Sequence, residues 1–333
     1  GDFARDIEIY RFICLVATVL AIAGLAVLLD YSVIGALAAL VVFTSWFQPL
    51  LSDVRVSNVN QIQLALLALF LWTRSKQKLP MKNLLSGLVL GFEIALKPNL
   101  IFVLATLSLS WVISRRFRET LLTYTGILIA FLSSIVFSSA AFGSTRCWID
   151  WHKLLLKAAD YGFEVNLHNY APSMLIFEMT GVKSSTYLTV GLLSVTATVL
   201  WIARRDVKGA LPETNESKRN PGRYLFEDML AVATGCLIYL LSATLVWLHY
   251  FLFTIPMALL VLRPAGAFRT KKTHELAVQR LLAIVSVLLI AEYPIRRLFS
   301  VTDARWSALL LIAGTLTLFG LGMWEIAGLR RWE

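Results

Sequence analysis

Charge is scarce in this chain. Only 16% of its 333 residues are Asp, Glu, Lys or Arg, against 58% hydrophobic residues. The mean hydropathy of +0.71 is far above that of an average soluble protein. Cysteine is scarcer still. Cys14, Cys147 and Cys236 stand far apart, no Cys-x-x-Cys occurs, and no cysteine clusters with any of the four histidines. Such spacing argues against a disulfide framework or a zinc site, and no residue pattern calls for a metal or another cofactor. The short alternating segments of a β-barrel are missing. So is an internal repeat of the kind that marks inverted-repeat transporters.

What the chain has instead is apolar runs of helical length along its whole extent. They predict an all-α, polytopic transmembrane helical bundle of about eleven spans, near 11–29, 33–49, 59–73, 81–96, 99–114, 120–142, 186–203, 226–246, 249–263, 279–296 and 305–326. The short spans 59–73 and 249–263 are expected to be tilted or broken. A net charge of +10 would suggest nucleic acid as a partner in a soluble protein. Here the basic residues sit in short loops between apolar runs, which reads as topology signals and contacts to anionic membrane lipids, with no nucleic acid.

Most Lys and Arg residues fall in the loops near 74–82, 115–118, 204–223 and 263–280 and at the C-terminus. These loops alternate with the others and are assigned to the cytoplasm. The segment 204–225, rich in Pro, Gly and charge, divides an N-terminal helix group (1–203) from a C-terminal one (226–333). The long external segment 143–185 carries WIDWHKLLLKAADYGF, an amphipathic stretch expected to lie on the membrane surface.

Four polar features then fall on one non-cytoplasmic face: NVNQ at 58–61, KPN at 97–99, NLHN at 166–169 and WLHY at 247–250. Asn58, Asn60 and Gln61 open a helix, and with Gln63 they exceed what capping needs. Side-chain amides both donate and accept, which suits sugar hydroxyls. Lys97 ends a helix whose Gly87 and Gly91 form a small-xxx-small face. An anionic group such as a lipid phosphate would satisfy it, whereas an i,i+4 pair with Glu93 is the plain structural alternative. Asn166, His168 and Asn169 crowd into four residues ahead of an apolar helix. His249 stands in the apolar run LSATLVWLHYFLFTIPMALLVLR, where an ionisable group suggests function and Trp247 and Tyr250 read equally as interface aromatics.

Taken together and in order, SNVNQIQLALL, GLVLGFEIALKPN, NLHNYAPSMLIF and LLSATLVWLHY resemble glycosyltransferase family 87, polyprenyl-phosphate-dependent membrane transferases of GT-C architecture. The likeness covers roughly residues 50–265. A proline and a second histidine that the family carries near His249 are replaced. The resemblance implies transfer of a mannose- or arabinose-like sugar from a polyprenyl-phosphate donor to a hydroxyl of a glycan or glycolipid acceptor. The reaction would take place outside the cytoplasm, in cell-envelope assembly at a bacterial plasma membrane. By the same likeness Lys97 holds the donor phosphate and His249 assists at the phosphate or the acceptor. Asn58, Asn60, Gln61, Asn166, His168, Asn169 and Trp247 contact substrate. The family's general base is an acid in the first external loop. Asp2 and Asp6 in GDFARDIEIY are the residues here that come nearest to it, and a base lying upstream of this sequence is the other expectation. A transporter or lipid flippase, or a non-catalytic partner of the same fold, are the rival readings.

Overall fold

The computed structural model describes residues 3–160, 165, 168–208, 221–264, 273–292 and 304–331. Among the described residues there are fourteen α-helices and no strand. In chain order these are α1 (Phe3–Leu28), α2 (Val33–Trp46), α3 (Gln48–Val56), α4 (Asn60–Ser75), α5 (Lys82–Leu96), α6 (Ile101–Ile113) and α7 (Phe117–Phe142), followed by α8 (Arg146–Asp160), α9 (Pro172–Thr180), α10 (Ser185–Lys208), α11 (Pro221–Ser242), α12 (Ile255–Leu262), α13 (Thr273–Ala291) and α14 (Ala304–Ala327). An all-helical chain with long apolar helices satisfies its backbone polar groups within each helix, as a bilayer requires. It is an integral membrane protein.

Among the described residues, six helices are long and apolar enough to cross a membrane: α1, α7, α10, α11, α13 and α14. The α2–α3 pair makes a seventh only if the two are counted as one span bent by 62°. The remaining apolar runs expected as spans are shorter helices, and local chemistry explains why. Pro49 enters at the start of α3, Pro98 stops α5, and the run from Leu248 opens as a 3-10 segment (Leu248–Thr254) before α12 begins. Each break removes or redirects backbone hydrogen bonds and leaves turns among the helix ends.

The most buried of these six is α11, with 94% of its apolar window covered by protein, while α7 and α10 are 17% buried and face outward. One hydrophobic core runs through both halves of the chain, from Ile22, Leu64 and Leu67 to Leu237, Met257 and Leu318. The amphipathic stretch between α7 and α9 forms α8. Its Trp148 donates to Ser138 Oγ on α7 at 2.6 Å and packs edge-on against Phe131.

The closest helix contact places the site. A Cβ at Gly87 of α5 would sit 2.1 Å from the Thr123 carbonyl oxygen of α7, and one at Gly126 of α7 would sit 2.2 Å from the Leu84 carbonyl oxygen. The two backbones therefore touch, which only glycine permits. This contact fixes the axis of α5 and so the position of Lys97 at its end. Gly87→Ala should lower the unfolding temperature of the purified protein, in line with an overpacking cost of about 1–3 kcal/mol. Gly191→Ala, on α10 with open space around it, should leave that temperature unchanged. Equal behaviour of the two variants would contradict the packing assignment.

Candidate active site

α3 is short and polar, and it ends at Ser57 in the left-handed conformation (φ 52°), which folds the chain back into α4. α1 pins this corner. Arg11 donates to Ser57 Oγ at 3.3 Å and to the Arg55 carbonyl at 3.4 Å, and Thr18 Oγ1 donates to Gln61 Oε1 at 2.7 Å. On the other side, Lys97 is extended (φ −162°, ψ 117°), as a residue preceding proline prefers. Gln63 Nε2 holds that turn, lying within hydrogen-bonding distance of Glu93 Oε1 (2.7 Å), the Lys97 carbonyl (3.1 Å) and Asn99 Oδ1 (3.0 Å).

These supports bring Lys97 against two asparagines. Its Nζ donates to Asn60 Oδ1 at 2.9 Å and Asn58 Oδ1 at 3.3 Å, and lies 4.1 Å from the centre of the Tyr250 ring. No ion pair joins Lys97 to an acid among the described residues. Glu93, its expected i,i+4 partner, is fully buried and turned to Gln63. The ammonium is thus bound directly by neutral groups, with the Asp53 carboxyl one asparagine away rather than in an ion pair.

Each asparagine passes the contact on. Asn60 Nδ2 donates to Asp53 Oδ1 at 2.8 Å, and Asn58 Nδ2 lies 2.9 Å from His249 Nε2. Asn58 Oδ1 already accepts from Lys97 and from the Val59 amide at 2.7 Å. Its nitrogen is therefore the donor toward His249, which makes that Nε2 an unprotonated acceptor and the ring neutral. Trp247 stacks on Tyr250 (6.2 Å, 16°) and flanks His249 at 5.6 Å.

Asp53 lies on the short polar helix α3, Lys97 in the turn after α5 and His249 at the start of the 3-10 segment. Burial raises the Asp53 carboxyl to about 7, although the Gln61 and Asn60 amides and the Lys97 charge pull it down. Burial lowers Lys97 to about 8, opposed by Asp53, and burial followed by the Lys97 charge lowers His249 to about 4.

Of the residues singled out from sequence, Asn58, Asn60, Lys97 and His249 meet in one cluster, with Gln61 and Trp247 at its edge. Asn169 is elsewhere employed. It is fully buried, donates to the Thr244 carbonyl at 2.9 Å and accepts from the Ala171 and Val246 amides, so it clamps the backbone ahead of Trp247. His168 is exposed, with Nδ1 3.0 Å from the Tyr170 hydroxyl. Asp6 is exposed in the first turn of α1 and makes none of the contacts above. Asp2 and Asn166 lie outside the described residues.

Asp53 is the acid that sequence reasoning passed over. The signal was present, since it lies seven residues before Asn60 on the same external stretch. Arg74 and Arg116, read from sequence as loop charges, are instead buried. Both bond Asp228 of α11 at 2.8 Å, and both also reach Glu119. Lengthwise, Asn60 and Arg74 are 14 residues apart on one helix, about 21 Å, so this ion network marks the opposite end of the bundle.

The helices and the cluster of Asn58, Asn60, Lys97 and His249 at their ends define a polytopic membrane protein with a polar site. The family model of glycosyltransferase family 87 matches residues 6–216, well over half of the chain, and the chain belongs to that family. It is therefore a membrane glycosyltransferase, working between a glycosyl donor and an acceptor. No curated protein and no solved structure matches the chain.

The raised Asp53 carboxyl carries a sign that can be checked. A folded-state value above the unfolded value near 4 favours folding below that value, and the advantage is lost as pH rises toward about 7. Asp53→Asn keeps the acceptor for Asn60 and removes the buried charge. Its unfolding temperature should exceed that of the wild type, by a margin that widens from pH 5 to pH 8. A margin that stays constant or shrinks over that interval would contradict the assignment.

Proposed function

We propose that the protein transfers a mannose- or arabinose-like sugar from a polyprenyl-phosphate donor to an acceptor hydroxyl on the non-cytoplasmic face of the membrane. The acceptor is a glycan or glycolipid of the cell envelope, in keeping with a bacterial plasma membrane. The observation that carries the donor class is the Lys97 ammonium, held by two amide oxygens and an aromatic ring with no counter-ion. The phosphodiester monoanion of the donor, and then the phosphate monoester that leaves, supplies negative charge with strong, charge-assisted hydrogen bonds.

The chemistry follows from that placement. The acceptor oxygen attacks the anomeric carbon as the bond from that carbon to the donor phosphate oxygen breaks. Polyprenyl phosphate leaves, and Lys97 stabilises the charge that grows on it. The acceptor proton goes to a carboxylate. Asp53 suits this role better than Asp2 or Asp6, because one residue, Asn60, links it to Lys97 and its raised value near 7 makes it a useful base at neutral pH. His249, neutral and fixed by Asn58, orients the phosphate or the acceptor. Asn58, Asn60, Gln61 and Trp247 contact the sugar. Asn166 and His168 add to the substrate contacts, and Asn169 holds the backbone ahead of Trp247.

The test is sugar transfer from radiolabelled polyprenyl-phosphate-mannose by membranes containing the protein, with the arabinose donor in parallel. Lys97→Ala and Asp53→Asn should each reduce kcat/KM by about 10²- to 10³-fold. Wild-type kcat/KM should rise as Asp53 deprotonates near pH 7 and fall as Lys97 loses its proton above about 8. Transfer by Lys97→Ala at the wild-type rate would overturn the phosphate assignment. Transfer by Asp53→Asn at the wild-type rate would move the base elsewhere.

A further inference from the structure

At the end of the bundle opposite Lys97 there is a cavity of about 480 Å³ between the α4–α5 and α6–α7 turns and the start of α11. Its walls carry four cations, Lys82, Arg115, Arg116 and Arg118, and one acid, Glu119. Glu119 is already taken by Arg74 and Arg116. Arg116 is likewise spent on Asp228. Lys82, Arg115 and Arg118 have no acidic partner among the described residues, and Tyr224 and Asn83 add polar groups beside them. The ion network behind the wall therefore fixes the frame and leaves three cations facing the same space.

Two further observations separate this from ordinary loop charge. The first is the backbone at Arg115. The Arg116 amide donates to the Trp111 carbonyl at 2.9 Å and the Arg115 amide to the Val112 carbonyl at 3.0 Å, which closes α6 with the two bonds of a Schellman motif. Arg115 occupies the left-handed position of that motif, φ 55°, where glycine is usual. A topology signal could sit at any neighbouring position without this strain. The second is the cavity's rim. Phe117 and Met81 line it yet are 61% and 65% exposed, and Leu121, Leu128 and Leu132 continue an exposed apolar stripe along α7. A basic cavity thus opens onto a lipid-facing helix.

We propose that this cavity binds the phosphate-bearing head group of an anionic membrane lipid, with Lys82, Arg115 and Arg118 on the phosphate and the acyl chains along α7. The shared chemistry is a phosphate ester, and the α7 stripe favours the lipid over a soluble phosphate. The site is separate from the Lys97 cluster by the length of α4 and does not depend on the transfer reading.

The probe is phosphatidylglycerol, offered as a minor component of phosphatidylcholine nanodiscs holding the full chain, with retained lipid counted by native mass spectrometry. The wild type should retain phosphatidylglycerol saturably over phosphatidylcholine. The double variant Arg115→Gly/Arg118→Gln should lose about fivefold in retention for each charge removed. Its unfolding temperature in lipid-free detergent should stay at or above the wild-type value, because glycine relieves position 115. Lys78→Gln, an exposed charge outside the cavity, should retain lipid as the wild type does. Equal retention by the wild type and the double variant, or equal loss in Lys78→Gln, would overturn the site. Stabilisation by inorganic phosphate in lipid-free detergent as large as that by phosphatidylglycerol would assign the cavity to a soluble phosphate and overturn the lipid.

Discussion

Lys97 at the end of α5 is held by neutral groups alone, and the polar end of the molecule is organised around that fact. A half-buried cation with no direct ion pair is costly, and a ligand anion can offset that cost. Here the cost is reduced, not removed, by two asparagine oxygens and the face of Tyr250. Every element near the site contributes to keeping those groups in place. α1 braces the α3–α4 corner, Gln63 fastens the Lys97 turn, and the glycine contact between α5 and α7 sets where that turn lies.

The two ends of the bundle treat charge in opposite ways. Opposite Lys97, Arg74 and Arg116 converge on Asp228, with Trp111 donating to the same carboxylate at 2.8 Å. Arg204 and Arg223 similarly enclose Glu227. Those buried charges are matched within the protein and hold helices in register, while Lys82, Arg115 and Arg118 at the cavity beside them make no such pair among the described residues. At the Lys97 end the acid and the cation are kept one asparagine apart, without a direct ion pair. On the proposed reading, one of the two meets an anion and the other accepts a proton.

Much of this was legible in the sequence. Apolar periodicity announced the all-α membrane fold, and an alternation of basic loops placed Asn58, Asn60, Lys97 and His249 at one depth. What the sequence could not show was packing. Asn169 has the same residue type and depth as Asn60, yet its neighbours are backbone groups, and only the fold reveals that. Arg74 and Arg116 looked like loop residues because their partners, Asp228 and Glu119, are distant along the chain. Asp53 is not legible as the linked acid because the family likeness points to the first residues, whereas the acid that reaches Lys97 through Asn60 stands at the α3–α4 corner. The expected spans outnumber the long apolar helices because hydropathy does not register the bends at Pro49, Pro98 and Leu248.

The central claim is that Lys97 receives the phosphate of the lipid carrier, and carrier binding tests it without turnover. Titration of the purified protein with polyprenyl phosphate should give a dissociation constant that rises about tenfold or more in Lys97→Gln and recovers in part in Lys97→Arg. Phosphate-free polyprenol should bind all three forms alike. Equal affinity of the wild type and Lys97→Gln for polyprenyl phosphate would show that the unpaired ammonium serves some other end, and the account would fail.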